Sequence, residues 1–386
     1  MKAKAYLTNK HFCPIPWTGL MYNFDGNVKN CIRSAKPIGN IQNNSIEEIL
    51  HGVQNTATKL DMIINEPGAR CYPCYNLEKE TNSFEIISDR VFYIKELKSE
   101  SLELYDDPTK FNLLTADVRW SNLCNFACVY CGPEFSSKWE NEIGVRIKTP
   151  ANDRAAAFTD YIYKNAKQLK HIYLAGGEPL LMKENLELLE FLLKENNEIN
   201  IRINTNLSKV DTRIFEKLCS FKNVHWIVSV ESIEAEYEYI RYGGRWQDFV
   251  DNLLVLKNLD HKISFNMLHF ALNSMSIFGC IDYLAKFGFH PNSFIAGPLT
   301  GPQVLNIRQL PSEMLNFTRE ELKTRINKKP GFLLENGLQN LLNYLDESTG
   351  GDTNELFEYL KTLDKRRNLD STKIFKELYN YGNQTL

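Results

Sequence analysis

Seven of the nine cysteines in this 386-residue chain lie upstream of position 132, in two clusters. Under reducing conditions a disulfide framework is not expected, so cysteines grouped this way should bind metal or do chemistry. The tighter cluster lies in Ser121-Asn122-Leu123-Cys124-Asn125-Phe126-Ala127-Cys128-Val129-Tyr130-Cys131, with C-x3-C-x2-C spacing. Three thiolates on one loop can hold three irons of a [4Fe–4S] cube and leave the fourth iron open to an exogenous ligand. The competing readings are a zinc site, which normally closes with four ligands, and a redox C-x-x-C pair. Cys219 and Cys280 stand alone on apolar helical patterns and read as small buried hydrophobes.

From Leu113 onward, strand and helix patterns alternate. Strands are expected at Thr115–Ser121, His171–Gly176, Asn200–Asn206, Val224–Glu231, Lys262–Phe270 and Ser293–Ala296. Helices fit at Asp153–Leu169, Lys183–Glu195, Asp211–Ser220, Trp246–Leu259 and Ser276–Phe287. Such βα repetition implies a parallel sheet with helices on its outer face. Six strands are too few for an eight-fold barrel, so the expected fold is α/β, a partial (β/α)6 TIM-type barrel. The cysteine loop follows its first strand, at the carboxyl end where such folds react. Asp117, Arg119 and Ser121 share one strand face, as do Arg202, Asn204 and Asn206, and Ser229 and Glu231. Strands buried on both faces should be apolar, so a polar face suggests a wet or ligand-filled interior. Internal salt bridges explain Asp117, Arg119 and Glu231 equally well.

The flanks differ from this core. Residues 1–80 are rich in Asn, Gly and Pro and hold four cysteines, with one short helix starting at the capping box Ser45-x-x-Glu48. They read as a small metal-stapled module with little core of its own. Residues 81–110 read as a helical connector, 111–300 as the barrel and 301–386 as a charged helical extension. Hydrophobic residues make up 43%, enough for a large core. With 45 basic and 48 acidic side chains the net charge is −3, and no broad nucleic-acid surface is expected. No apolar run reaches membrane-spanning length, and the start lacks a signal-peptide pattern, so a cytoplasmic protein is expected.

The C-x3-C-x2-C loop, with Tyr130 before its last cysteine, resembles the signature of the radical S-adenosylmethionine (SAM) superfamily. The resemblance extends from about Leu113 to Pro298. Ala175-Gly176-Gly177-Glu178-Pro179, after the second strand, is similar to the family's GGE motif, which receives the SAM amino group. Two glycines let the main chain approach closely, and a carboxylate pairs with an ammonium. Ser229 and Arg241, 12 residues apart, are similar to the SAM-carboxylate contacts. Thr205-Asn206 resembles the ribose-contacting position and Leu268 an adenine contact. The resemblance implies cofactors, a [4Fe–4S] cluster on Cys124, Cys128 and Cys131 and SAM, and a reductant such as flavodoxin or ferredoxin. It implies cleavage of SAM to a 5′-deoxyadenosyl radical that abstracts hydrogen from a substrate.

Cys13, Cys31, Cys71 and Cys74 could close an iron–sulfur or an all-cysteine zinc site. Phe24-Asp25-Gly26-Asn27-Val28-Lys29-Asn30-Cys31 is similar to the hairpin that opens SPASM and twitch auxiliary-cluster domains. Ile38-Gly39-Asn40-Ile41 and the helix after Ser45 fit as well. The module stands here before the barrel rather than after it, and the cysteines of a second auxiliary cluster are absent. The resemblance therefore implies one auxiliary [4Fe–4S] cluster, for electron transfer in an oxidation or cross-linking. A peptide or protein is the first substrate expected; a small metabolite, sugar or nucleoside is the alternative. A non-catalytic iron–sulfur electron-transfer or zinc-binding protein is the reading outside enzymes.

Overall fold

The computed structural model describes residues 9–78, 88–97, 102–149, 152–346 and 348–382. It divides into two compact units.

The first unit comprises Met1–Leu123, Gly144–Ile203 and Asp211–Val224. Its N-terminal part is a hairpin, β1 (Gly19–Asn23) antiparallel to β2 (Asn27–Lys29), with β3 (Gly39–Asn40) on the far side of β2. Gly26 turns the hairpin with φ +86°, a left-handed conformation that glycine adopts freely. The Ser45–Glu48 capping box opens the helix Ile46–Leu50, as expected. The unexpected feature is the other edge of β1. It pairs parallel with β4 (Thr115–Arg119), in register from Gly19↔Thr115 to Asn23↔Arg119. Parallel pairing continues from β4 to β5 (His171–Leu174) and on to β6 (Asn200–Thr205). The N-terminal residues also have a core, which corrects the expectation of little. Phe12, Ile15, Trp17 and Met62 pack with Leu104 and Tyr105, apolar residues borrowed from the connector. Tyr22 of β1 stacks on Phe158 at 4.4 Å.

The second unit comprises Cys124–Ile143, Asn204–Val210 and His225–Leu386. Here β7 (Val224–Ser229), β8 (Lys262–His269) and β9 (Phe294–Pro298) pair parallel in that order. Helices Trp246–Lys257 and Ile277–Lys286 follow β7 and β8 and bury apolar stripes. Beyond β9 come Ser312–Asn327, Phe332–Asp346, Asn354–Arg367, Ser371–Ile374 and Lys376–Gly382. The helix Phe332–Asp346 lies on β9, where a Cβ on Gly337 would stand 2.8 Å from the Ala296 carbonyl. It completes the sixth strand–helix pair, so the chain has the (β/α)6 repeat of a partial barrel.

The expected strands occur, with ends shifted by one or two residues. Ser121, Gly176, Asn206, Glu231 and Phe270 lie just past strand ends. Cys280 is buried, but Cys219 is exposed, against expectation. It ends the helix Arg213–Cys219, whose buried stripe is Ile214, Phe215 and Leu218. Position 219 falls beside that stripe, about 100° further round than Leu218. Among the described residues no helix is long and apolar enough to cross a membrane.

Candidate functional site

The cysteine loop carries no regular secondary structure, so its backbone groups need partners elsewhere. Within the second unit they find them. Ala127 N donates to Tyr242 O and Val129 N to Ile240 O, both at 2.8 Å. Trp139 Nε1 donates to Cys128 O at 2.8 Å, and Tyr359 Oη to Val129 O at 2.7 Å. Ser136 Oγ holds Phe126 O at 2.5 Å. A loop tied at five points presents its side chains in fixed directions.

The thiols on that loop sit among polar donors. Asn206 Nδ2 lies 3.9 Å from Cys124 Sγ, and Arg241 Nη1 lies 3.9 Å from Cys128 Sγ. A hydrogen bond between Cys128 and Cys131 lowers the Cys128 thiol, helped by the Arg241 charge, and raises Cys131. Arg241 is itself buried, and its fork grips Glu231: Nε to Oε2 at 2.7 Å and Nη2 to Oε1 at 2.6 Å. Tyr130 Oη donates to the same Glu231 Oε1 at 3.0 Å. Asn273 Nδ2 links Glu231 O (3.1 Å) to Leu268 O (2.8 Å). Ser229, buried at the end of β7, donates to Asn204 Oδ1 at 3.4 Å. Tyr130, Asn206, Arg241 and Leu268 thus join the cysteine loop in one chain of contacts. The Glu231–Arg241 pair answers the question left open for Glu231: its carboxylate is occupied inside the protein.

Gly176, Gly177 and Glu178 belong to the first unit, where they pack on Ser121–Leu123, the residues leading into Cys124. Gly176 has φ +113°, and a Cβ there would meet Ser121 O at 2.9 Å. A Cβ on Gly177 would stand 2.2 Å from Leu123 O, a separation no side chain survives. Glu178 N donates to Leu123 O at 2.7 Å, and buried Glu178 Oε1 accepts from Leu180 N at 3.1 Å. The glycines are what the close approach of two backbones requires. In the same unit Asp117 accepts from Arg119 at 3.0 and 3.2 Å, so these two also form an internal pair. Register places Asp117, Tyr173 and Arg202 in one row, and Arg202 lies 5.2 Å from the Tyr173 ring.

The four N-terminal cysteines, distant in sequence, line one cavity of the first unit together with Arg33, Asp89, Arg90 and Tyr93. Burial raises all four thiols, Cys71 to about 12, and for Cys13, Cys31 and Cys71 neighbouring cysteines add to the rise. Arg90 reaches Phe12 O at 2.8 Å and is clamped by Glu78, while Arg33 pairs with Asp89 at 2.9 Å. The arginines, Asp89 and Tyr93 were missed by sequence reading. The capping serine Ser88, which starts the helix Asp89–Glu96 that carries Asp89, Arg90 and Tyr93, was the one local signal. Among the described residues no three His, Cys, Asp or Glu side chains are drawn in around a single ion. Both cysteine sets nonetheless fit a cationic cluster. Thiolates crowded in a buried space repel one another and are stabilised by bound iron, which releases their protons.

The sequence family described as the radical SAM superfamily matches residues 118–273. The core of this chain is a radical SAM domain. Residues 13–75 match the SPASM iron–sulfur cluster-binding domain. A radical SAM domain takes a [4Fe–4S] cluster and SAM, and a SPASM domain takes a further iron–sulfur cluster; these are the cofactors of the chain. No curated protein matches it in sequence. Among solved structures, native anSMEcpe with bound AdoMet aligns over 56% of this chain and 61% of its own, at 16% identity and TM-score 0.42. Streptococcus suis SuiB bound to precursor peptide SuiA aligns over 75% of this chain and 63% of its own, at 13% identity and TM-score 0.43. The chain thus spans less than two thirds of the length of either.

Proposed function

We propose that this protein is a radical SAM enzyme acting on a peptide or protein substrate, with an auxiliary cluster that assists oxidation or cross-linking. The observation that carries the reading is the anchored cysteine loop, with Asn206 and Arg241 each 3.9 Å from a sulfur. When bound and reduced, the cluster and SAM supply a 5′-deoxyadenosyl radical, which removes hydrogen from the substrate.

The chain's own residues do the rest. Cys124, Cys128 and Cys131 would hold the cluster through three irons, with SAM as the further ligand. The backbone at Gly176 and Gly177, with Glu178, receives the SAM amino group. Ser229 meets the carboxylate, with Arg241 Nη1, since the rest of that guanidinium is committed to Glu231. Asn206 takes the ribose and Leu268 the adenine. Tyr130 donates to Glu231 and so fixes the acid that orients Arg241. Cys13, Cys31, Cys71 and Cys74 would hold the auxiliary cluster as four thiolate ligands, and a cluster so held would supply electron transfer. The SPASM match supports a peptide substrate, since many enzymes with this module modify peptides. The working division is a cluster module at 1–80, a connector at 81–110, the barrel at 111–300 and a helical extension at 301–386. None of the nine cysteines is in a disulfide, which suits a reducing cytoplasm, and a flavodoxin or ferredoxin is the proposed electron source.

Protein reconstituted anaerobically should be brown, hold about eight irons if both clusters form, and release 5′-deoxyadenosine from SAM once reduced. A colourless protein, or no 5′-deoxyadenosine under strong reduction, would overturn the reading.

A further inference from the structure

Arg367 is the last residue of the helix Asn354–Arg367, in the C-terminal region where the sequence offered no motif. Its side chain is 1% exposed. Nε pairs with both oxygens of Glu142, at 3.1 and 3.2 Å. The guanidinium lies between two rings, 4.7 Å from Trp139 and 4.4 Å from Tyr242. Both ring residues hold the cysteine loop, Trp139 through Cys128 O and Tyr242 through Ala127 N. One helix turn pair earlier, Tyr359 holds Val129 O. Nη1 and Nη2 of Arg367 are buried and have no hydrogen-bond partner. A buried guanidinium with two unmet nitrogens is costly unless a negative charge compensates it. Glu142 compensates only one edge and also pairs with Arg366 at 3.3 Å.

We infer that Arg367 is a second fixed cation beside the SAM-binding cluster, in addition to Arg241, a positioning residue that raises the cluster's reduction potential from the C-terminal helix. This rests on the assignment of Cys124, Cys128 and Cys131 as that cluster's ligands. A [4Fe–4S]2+ core with three thiolates carries net negative charge, and one electron from the external reductant adds another. A buried cation favours the more negative, reduced form, and the Trp139–Tyr242 sandwich holds it too firmly to swing away.

The test is a redox titration of the full-length, doubly loaded protein, read from the EPR signal of the reduced cluster that changes when SAM is added. In Arg367→Gln, the ratio of reduced to oxidised cluster at a fixed solution potential should fall about tenfold, the order of effect of removing one buried charge at an effective dielectric near 20. Arg367→Lys should stay within about twofold of the parent, because the charge remains. Glu142→Gln should shift the ratio the other way, because it removes an anion and leaves both arginines. Damage to packing alone would move both neutral variants in the same direction, and that result overturns the inference, as does an unchanged Arg367→Gln. If Arg367→Gln holds no cluster, the sign of the Glu142→Gln shift decides. No SAM-sensitive signal in the parent would instead overturn the assignment of the cysteine loop.

Discussion

Glu231 and Arg241 are 1% and 4% exposed and bind each other through two short hydrogen bonds. A pair this buried need not add net stability, since both charges left water to form it. Removing one partner is a different matter, because the other charge stays behind. Glu231→Gln should cost about 3–5 kcal/mol in urea unfolding, far more than a surface substitution. A cost under about 1 kcal/mol would mean that Arg241 finds another anion. His269 makes a second residue-scale case. Burial pushes its imidazole down to about 4, against the pull of its hydrogen bond to Ser274 O. Between pH 6.5 and 4 the unfolded chain takes up a proton that the folded one refuses, so stability falls as pH falls through that window. At pH 5 the loss should be about 2 kcal/mol relative to pH 7, and His269→Gln should remove it. A parent-to-variant difference that stays flat from pH 7 to 5 would show that the imidazole is not excluded from water.

At the level of elements, the turn after β5 is the most demanding piece. Gly177→Ala sets a methyl group 2.2 Å from the Leu123 carbonyl, next to Cys124. One of the two backbones must then move. The expected result is near-complete loss of 5′-deoxyadenosine formation with the far-ultraviolet spectrum unchanged. Wild-type turnover by this variant would separate the turn from the site. Strand and helix identities were legible because each obeys a local period, and Thr115–Arg119 or Lys183–Glu195 can be read within its own window. The ends were less so. Ser121, Gly176 and Glu231 continue a strand-like alternation, but Gly176 turns with φ +113° and the chain leaves the sheet there. The partnership of β1 with β4 was invisible, because nothing in Gly19–Asn23 names a strand 96 positions away.

For the whole molecule, that partnership makes a prediction about the N-terminal region. Without residues 1–43, β4 becomes an open edge with unpaired N–H and C=O groups. The shortened chain should be aggregated rather than a soluble barrel, as read by the fraction retained after centrifugation. Soluble, monomeric product would mean that the module is a true appendage. The two cysteine sets should also separate by function. Cys128→Ala should abolish SAM cleavage, whereas Cys74→Ala should keep uncoupled cleavage while losing substrate conversion. Equal loss in both would assign the auxiliary cluster a structural role.

The sequence by itself determined the two cysteine sets, the βα repeat and the glycine turn, because each is a short pattern whose chemistry depends on neighbours a few positions away. The cysteine loop was recognisable on those terms alone. Only the tertiary structure decided that Cys13, Cys31, Cys71 and Cys74 share one cavity with Arg33 and Arg90. It also decided that Glu231 occupies the fork of Arg241, that Tyr359 reaches the loop across more than 200 residues of chain, and that Arg367 reaches Trp139, which holds the loop. Such pairings depend on which surfaces become buried together, and a single chain carries no local mark of that.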